Sequence, residues 1–182
     1  MSATPLSPLG RTSAAIAALL GLGQAALSAY WALGGTRWLD TVGGLPARIG
    51  GSGGTVVVLG LWAVVALKSG IALAAPVLSW RPGVLPAWTW ARVPRTLGWI
   101  AGIVLAGYGT VLTLAGLAVL SGVLDLGTVA DPRALRWHAL VWDPWFALWG
   151  IAMLVALAGS SSRHHRRLSP DAAREASSGA RA

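Results

Sequence analysis

Four long apolar runs constrain this chain more than any other feature: Ser13–Leu33, Thr55–Ala75, Leu97–Leu124 and Ala134–Gly159. At ~1.5 Å rise per residue, each is long enough to cross a hydrocarbon core of about 30 Å as a helix. The chain is 55% hydrophobic and only 11% charged, more apolar than a soluble core of 182 residues requires. The expected fold is all-α, a bundle of four transmembrane helices. A short N-terminus over 1–12 and a basic tail over 160–182, poor in anything to bury and so expected to be disordered, flank a membrane domain over 13–159. The first run is longer than a signal-peptide core of about 7–15 residues, so it is expected to stay as a span and not be cleaved.

The net charge of +8 does not point to nucleic acid, because the basic residues punctuate the ends of the apolar runs. Such residues set orientation and meet anionic lipid headgroups. Nine arginines fall on the side of the termini: Arg11, Arg81, Arg92, Arg95, Arg163, Arg166, Arg167, Arg174 and Arg181. Four fall on the other side: Arg37, Arg48, Arg133 and Arg136. This bias predicts cytoplasmic N and C termini. Thirteen arginines to one lysine, with abundant Ala and Gly, read as the coding bias of a high-GC bacterial genome, and so as the bacterial cytoplasmic membrane.

The absence of cysteine excludes disulfide, thiolate and cysteine-ligated metal chemistry, and with them a four-helix quinone-linked thiol oxidase. His164-His165 has no further ligands at metal-binding spacing and reads as charge decoration. No nucleophile–base set, paired carboxylates or phosphate loop is present, and no cofactor is expected. The Gly-rich stretch Gly34–Gly54 reads as a flexible outer loop. Pro76, Pro82, Pro86 and Pro94, with Trp80, Trp88 and Trp90, predict a segment without continuous helix along the cytoplasmic interface.

Lipid tails are as apolar as leucine, so helix association rests on close approach through small residues. Candidate faces are Gly98/Gly102, with Gly107, Gly109 and Gly116 further on, Ala66/Gly70/Ala74, and Ala14/Ala18 with Ala17/Gly21. Any of them offers a face for a homodimer or another membrane protein.

Two charged residues fall within the spans. Lys68, placed about 10 Å from the cytoplasmic end of its run, is expected to snorkel to that interface; pairing with a buried acid or with an anionic lipid headgroup is the alternative. Asp143 stands before Pro144, a helix-start arrangement in which the carboxylate caps free N–H groups. Because apolar sequence begins earlier, at Ala134, either a kink at Pro144 or a short outer helix joined to the span is expected. Tyr30, Trp31, Gly34, Gly35, Arg37, His138, Asp143 and Pro144 are expected to gather at the outer interface, with Arg37–Asp143 or His138–Asp143 contacts in reach. Gln24, Tyr108 and Thr110 are candidates for hydrogen bonds between helices.

The run Tyr30-Trp31-Ala32-Leu33-Gly34-Gly35-Thr36 and the run Trp142-Asp143-Pro144-Trp145-Phe146 resemble the domain-of-unknown-function family numbered 3995. Those are small four-helix bacterial membrane proteins, some with a histidine two places before the Tyr-Trp pair, where this chain has Ser28. The resemblance covers roughly Ala14 to Gly159, and implies architecture and location without an activity. The functional expectation is a non-enzymatic membrane protein whose outward polar cluster holds the span ends together or contacts a small partner. A small transporter, with a path joining Asp143, Gln24 and Lys68, and a membrane enzyme acting on a lipid or isoprenoid are the alternatives.

Overall fold

The computed structural model describes residues 8–43, 54–80, 92–125 and 127–167. The far part of the Gly-rich loop, the Trp88/Trp90 segment and the end of the tail lie outside the described residues. Among the described residues six α-helices follow in order: α1 (Pro8–Ala32), α2 (Leu39–Val42), α3 (Thr55–Trp80), α4 (Arg92–Leu120), α5 (Pro132–Trp137) and α6 (Asp143–Arg167). A π-helical turn, His138–Trp142, joins α5 to α6. Four stretches have the length and apolarity of membrane spans: Pro8–Ala32, Thr55–Leu78, Val93–Leu120 and Pro132–Gly159. The protein is therefore a multi-pass membrane protein, built as an antiparallel helical bundle.

The helix limits differ from the apolar runs in instructive ways. Pro76 lies inside α3, which continues to Trp80. Within a span, a proline removes one N–H from the ladder without ending the helix, because packing partners re-satisfy the backbone. At its other end the bundle gains a real N-cap: Asp131 Oδ1 accepts from the Ala134 N–H at 2.9 Å, and Pro132 occupies the first helical position. The Asp143-Pro144 pair, with the same two residues, behaves differently. Asp143 has helical dihedrals, and its N–H donates to the His138 carbonyl five residues back. A proline ring at 144 crowds the carbonyl of Leu140, and widening the ladder by one residue relieves that clash. The short helix joined to a span thus takes the form of a π turn, and Asp143 is not an N-cap.

Helix pairing follows the small residues. α4 packs along α6, α1 along both α3 and α6, and α3 touches α4 sparingly. On α4, Gly102, Gly109 and Gly116 recur every seven residues; the first two face α6 and the third faces the π turn that precedes it. A Cβ at Gly109 would collide with backbone atoms of Asp143 and Ala147, and one at Gly116 would sit 2.7 Å from the Ala139 Cβ. Gly150 on α6 returns the contact against Ala106 and Gly102. A seven-residue spacing keeps one face on the partner, as in left-handed packing of near-antiparallel helices. The expected Ala66/Gly70 stripe forms no such face: Ala66 is exposed and a Cβ at Gly70 would meet nothing within 4 Å. On α3 the buried positions are Ala72 and Ala75, which join Ala14 and Ala17 of α1 around Trp149, Met153 and Leu157 of α6.

This packing separates two glycines that the sequence presents alike. Gly109→Ala is expected to lower the stability of the detergent-solubilised protein by about 1–3 kcal/mol, since the added carbon meets backbone that cannot move aside. Gly107→Ala, which points into open space, is expected to leave it unchanged or slightly raised. Thermal unfolding of both variants checks the contrast.

Candidate functional site

At the bundle end away from the termini, α1 stops by a Schellman turn. Gly34, at φ +90°, donates its N–H to the Trp31 carbonyl at 3.0 Å, and Gly35 donates to the Tyr30 carbonyl at 2.9 Å. Gly35 lies so close to the Tyr30 ring that a Cβ there would enter it. The chain then folds back over its own helix. Trp31 Nε1 donates to the Arg37 carbonyl at 2.9 Å, and the Arg37 N–H donates to the Tyr30 hydroxyl at 3.3 Å. The Tyr-Trp…Gly-Gly…Arg run is thus a helix stop and a loop clasp.

A second clasp ties that loop to the last span. Trp142 Nε1 donates to Thr41 Oγ1 at 3.2 Å, and Thr41 is fully buried. His138 bridges two elements, with Nε2 3.1 Å from the Val42 carbonyl and Nδ1 3.2 Å from Asp143 Oδ1. A carbonyl can only accept, so Nε2 carries the hydrogen. The Nδ1–Oδ1 contact gives a hydrogen-bond partner to a carboxyl group only 4% exposed. An exposed ion pair, Arg133 with Asp40 at 3.0 Å, adds a third link between α5 and α2.

Tyr30, Trp31, Gly34, Gly35 and Arg37 thus meet in the loop clasp, and His138 meets Asp143 in the last span. Arg37 does not pair with Asp143, whose partner is His138. Arg37 is instead among the residues that line an open groove of about 750 Å³ beside α1. The walls are Tyr30, Trp38, Trp137, Val141, Trp142 and Trp145, over Gly23 and Leu27. Trp137, Trp142 and Trp145 form a ladder, with stacked centroids 5.9 Å and 6.4 Å apart. Trp145 is pinned by its Nε1 donating to the Leu20 carbonyl at 3.0 Å. Trp38 holds a left-handed backbone, φ 61°, a costly conformation for a bulky side chain that turns up where structure is under functional constraint. Four of these aromatics escaped attention as a site in the sequence, because tryptophans near span ends read as an interfacial belt. Their spacing along Trp137, Trp142 and Trp145 was the available signal.

The intramembrane polar residues Lys68, Gln24 and Ser28 form a separate group between α1 and α3. Lys68 Nζ donates to Gln24 Oε1 at 3.1 Å and to Ser28 Oγ at 2.9 Å, and Ser28 Oγ donates to the Gln24 carbonyl at 3.1 Å. Lys68 does not snorkel. Because α3 runs on to Trp80, the ammonium sits twelve residues, about 18 Å, from that end, beyond the reach of a lysine stem. Two neutral oxygens on α1 accept from it in place. Tyr108 makes an edge contact with Phe146 at 6.1 Å, and its hydroxyl has no hydrogen-bond partner among the described residues. Among the described residues no group of three or more His, Cys, Asp or Glu side chains is placed to hold a metal ion.

The His138 bridge makes a prediction of its own. His138→Leu, which strands the buried Asp143 carboxyl group, is expected to destabilise the protein by about 2 kcal/mol. Adding Asp143→Leu is expected to recover most of that loss, since removing both partners leaves nothing buried unpaired. Chemical unfolding of the single and double variants in detergent measures the difference.

No curated protein and no solved structure matches the chain. The two clasped motifs and the second and third spans lie within a stretch that a family model does match, over residues 21–153, which also takes in most of the last span and part of the first. The chain belongs to the family described as "Protein of unknown function (DUF3995)".

Proposed function

We propose that this is a non-catalytic protein of the bacterial cytoplasmic membrane, with both termini inside, that binds an anionic lipid at its outward end. The groove beside α1 carries this reading. It is open, its walls are almost wholly apolar and aromatic, and it has one cation, Arg37, among its lining residues. A volume near 750 Å³ falls within the range of about 300–1,000 Å³ typical of ligand sites. Tryptophan rings accept an acyl chain on their faces, and a guanidinium matches a phosphate oxygen pair. The cytoplasmic orientation of the termini rests on the nine-to-four arginine bias.

The polar cluster above the groove supports binding over catalysis. Both His138 nitrogens are spent, on Val42 and Asp143. General acid–base work needs a group free to reach a substrate proton, and this pair is committed to holding the loop that carries Trp38 and Arg37. The transporter alternative asks for Asp143 beside Gln24 and Lys68. Gln24 and Lys68 do meet, while Asp143 is engaged by His138.

The loop bonds at Arg37 use its backbone alone, so Arg37→Gln is expected to keep the fold and lose the headgroup contact. Native mass spectrometry of protein titrated with phosphatidylglycerol is expected to show binding weakened about tenfold in Arg37→Gln and in the groove-filling Leu27→Trp. Equal retention of phosphatidylglycerol and phosphatidylcholine by the wild type, unaffected by either variant, would overturn the reading.

A further inference from the structure

Lys68 poses a problem that the bundle does not solve with its own residues. A charged side chain near the middle of a span is costly, and such a charge is normally met by an opposite one. Among the described residues no carboxylate lies within 4.0 Å of Lys68. Its hydrogen-bond partners, Gln24 Oε1 and Ser28 Oγ, are neutral. They satisfy two of its three N–H donors and leave the charge uncompensated.

A second observation points to a guest. An ammonium only donates, so Gln24 must turn its oxygen to Lys68, and this fixes the amide's orientation. The other end of that amide, Nε2, is then a buried donor without a partner, in a residue only 3% exposed. It lies on the same amide group whose oxygen touches the ammonium. One positive charge and one unspent N–H group side by side form the complement of a carboxylate, which offers two acceptor oxygens and one negative charge.

The route in is lateral. α3 leans on α1, α4 lies on α6, and the two outer helices of this set touch little. Leu67, next in the chain, and Tyr108 of α4, whose ring meets Phe146 beside the ammonium, are 64% and 50% exposed. Phe146 of α6 lies behind the ammonium, its ring centroid 5.6 Å from Nζ. The entrance is apolar, so a guest arrives through hydrocarbon, which excludes a small hydrated anion. The depth of about 18 Å from the end of α3 exceeds that of a resident phospholipid headgroup.

We propose that the opening between α3 and α4 admits a long-chain carboxylic acid whose carboxylate is held by Lys68 and Gln24. This site uses Gln24 and Ser28 of α1 where the aromatic groove uses Gly23, Leu27 and Tyr30, and it does not depend on the reading of that groove. Lys68 carries the charge recognition, Gln24 adds the second donor, and Ser28 keeps the ammonium in place between visits of the ligand.

Scintillation-proximity binding of radiolabelled palmitate to the purified full-length protein tests the site, with palmityl alcohol, a quinone and phosphatidylglycerol as competitors. Palmitate is expected to bind and to be displaced by unlabelled palmitate alone. Lys68→Met and Gln24→Leu are each expected to weaken binding about tenfold to a hundredfold, while Lys68→Arg retains part of it. Thermal unfolding of the same variants shows that they are folded. Leu19→Ala, at an exposed position of α1, is expected to leave palmitate binding unchanged. Binding that is indifferent to Lys68→Met, displaced equally by palmityl alcohol, or lost in Leu19→Ala overturns the proposal. So does displacement of the bound palmitate by the quinone or by phosphatidylglycerol.

Discussion

Between helices in a bilayer there is little hydrophobic force, because the lipid is as apolar as the side chains it would replace. The bundle therefore depends on how closely backbones can approach and on where polar groups find one another. The glycine line Gly102, Gly109, Gly116 meets the first requirement, by letting α4 lie directly on α6 and on the π turn that precedes it. Trp149, Met153 and Leu157 meet it in the complementary way, filling a hollow made by alanines of α1 and α3. The second requirement is met twice, at different depths. Near the middle, Lys68 ties α3 to α1 through Gln24 and Ser28. At the loop end, His138 and Trp142 tie α2 to the last span.

These ties share a physical logic. Each takes a group that is expensive in hydrocarbon and uses its hydrogen-bonding demand to fix a neighbour. His138 bonds both to Asp143 and to a backbone carbonyl of the loop, so the buried carboxyl group keeps a partner while the loop is held. The π turn that carries it arises from Pro144, and the turn places both Trp142 and His138 where α2 can reach them. The aromatic groove is a by-product of the same geometry. Clasping the loop sets Trp38 and Arg37 opposite the ladder of Trp137, Trp142 and Trp145.

The spans themselves were legible in the amino-acid sequence, since a run of apolar residues has few other fates. So was the gathering of Tyr30, Trp31, His138 and Asp143, which topology alone brings to one end. Other features depend on registers that no local pattern encodes. Two Asp-Pro pairs look the same in sequence. Asp131 follows a loop and caps a helix, whereas Asp143 is already inside a helix and turns to His138. Gly107 and Gly109 are two residues apart, and only the seven-residue register with α6 makes one of them close-packed. Lys68 was expected to climb to an interface that lay farther off once Pro76 failed to end its helix. Its true partners, on α1, follow from an antiparallel pairing that sets Gly21 against Ala72 and hence Gln24 near Lys68.

Single-cysteine labelling in intact cells tests this account most directly, and the native chain contains no cysteine to interfere. Leu124→Cys lies in the connection between α4 and α5, and Gly83→Cys in the connection between α3 and α4. A membrane-impermeant maleimide is predicted to label Leu124→Cys from outside the cell and Gly83→Cys only after the membrane is opened. Labelling of both sites from outside, or of Gly83→Cys alone, would contradict a bundle that crosses the bilayer four times with its clasped end facing out.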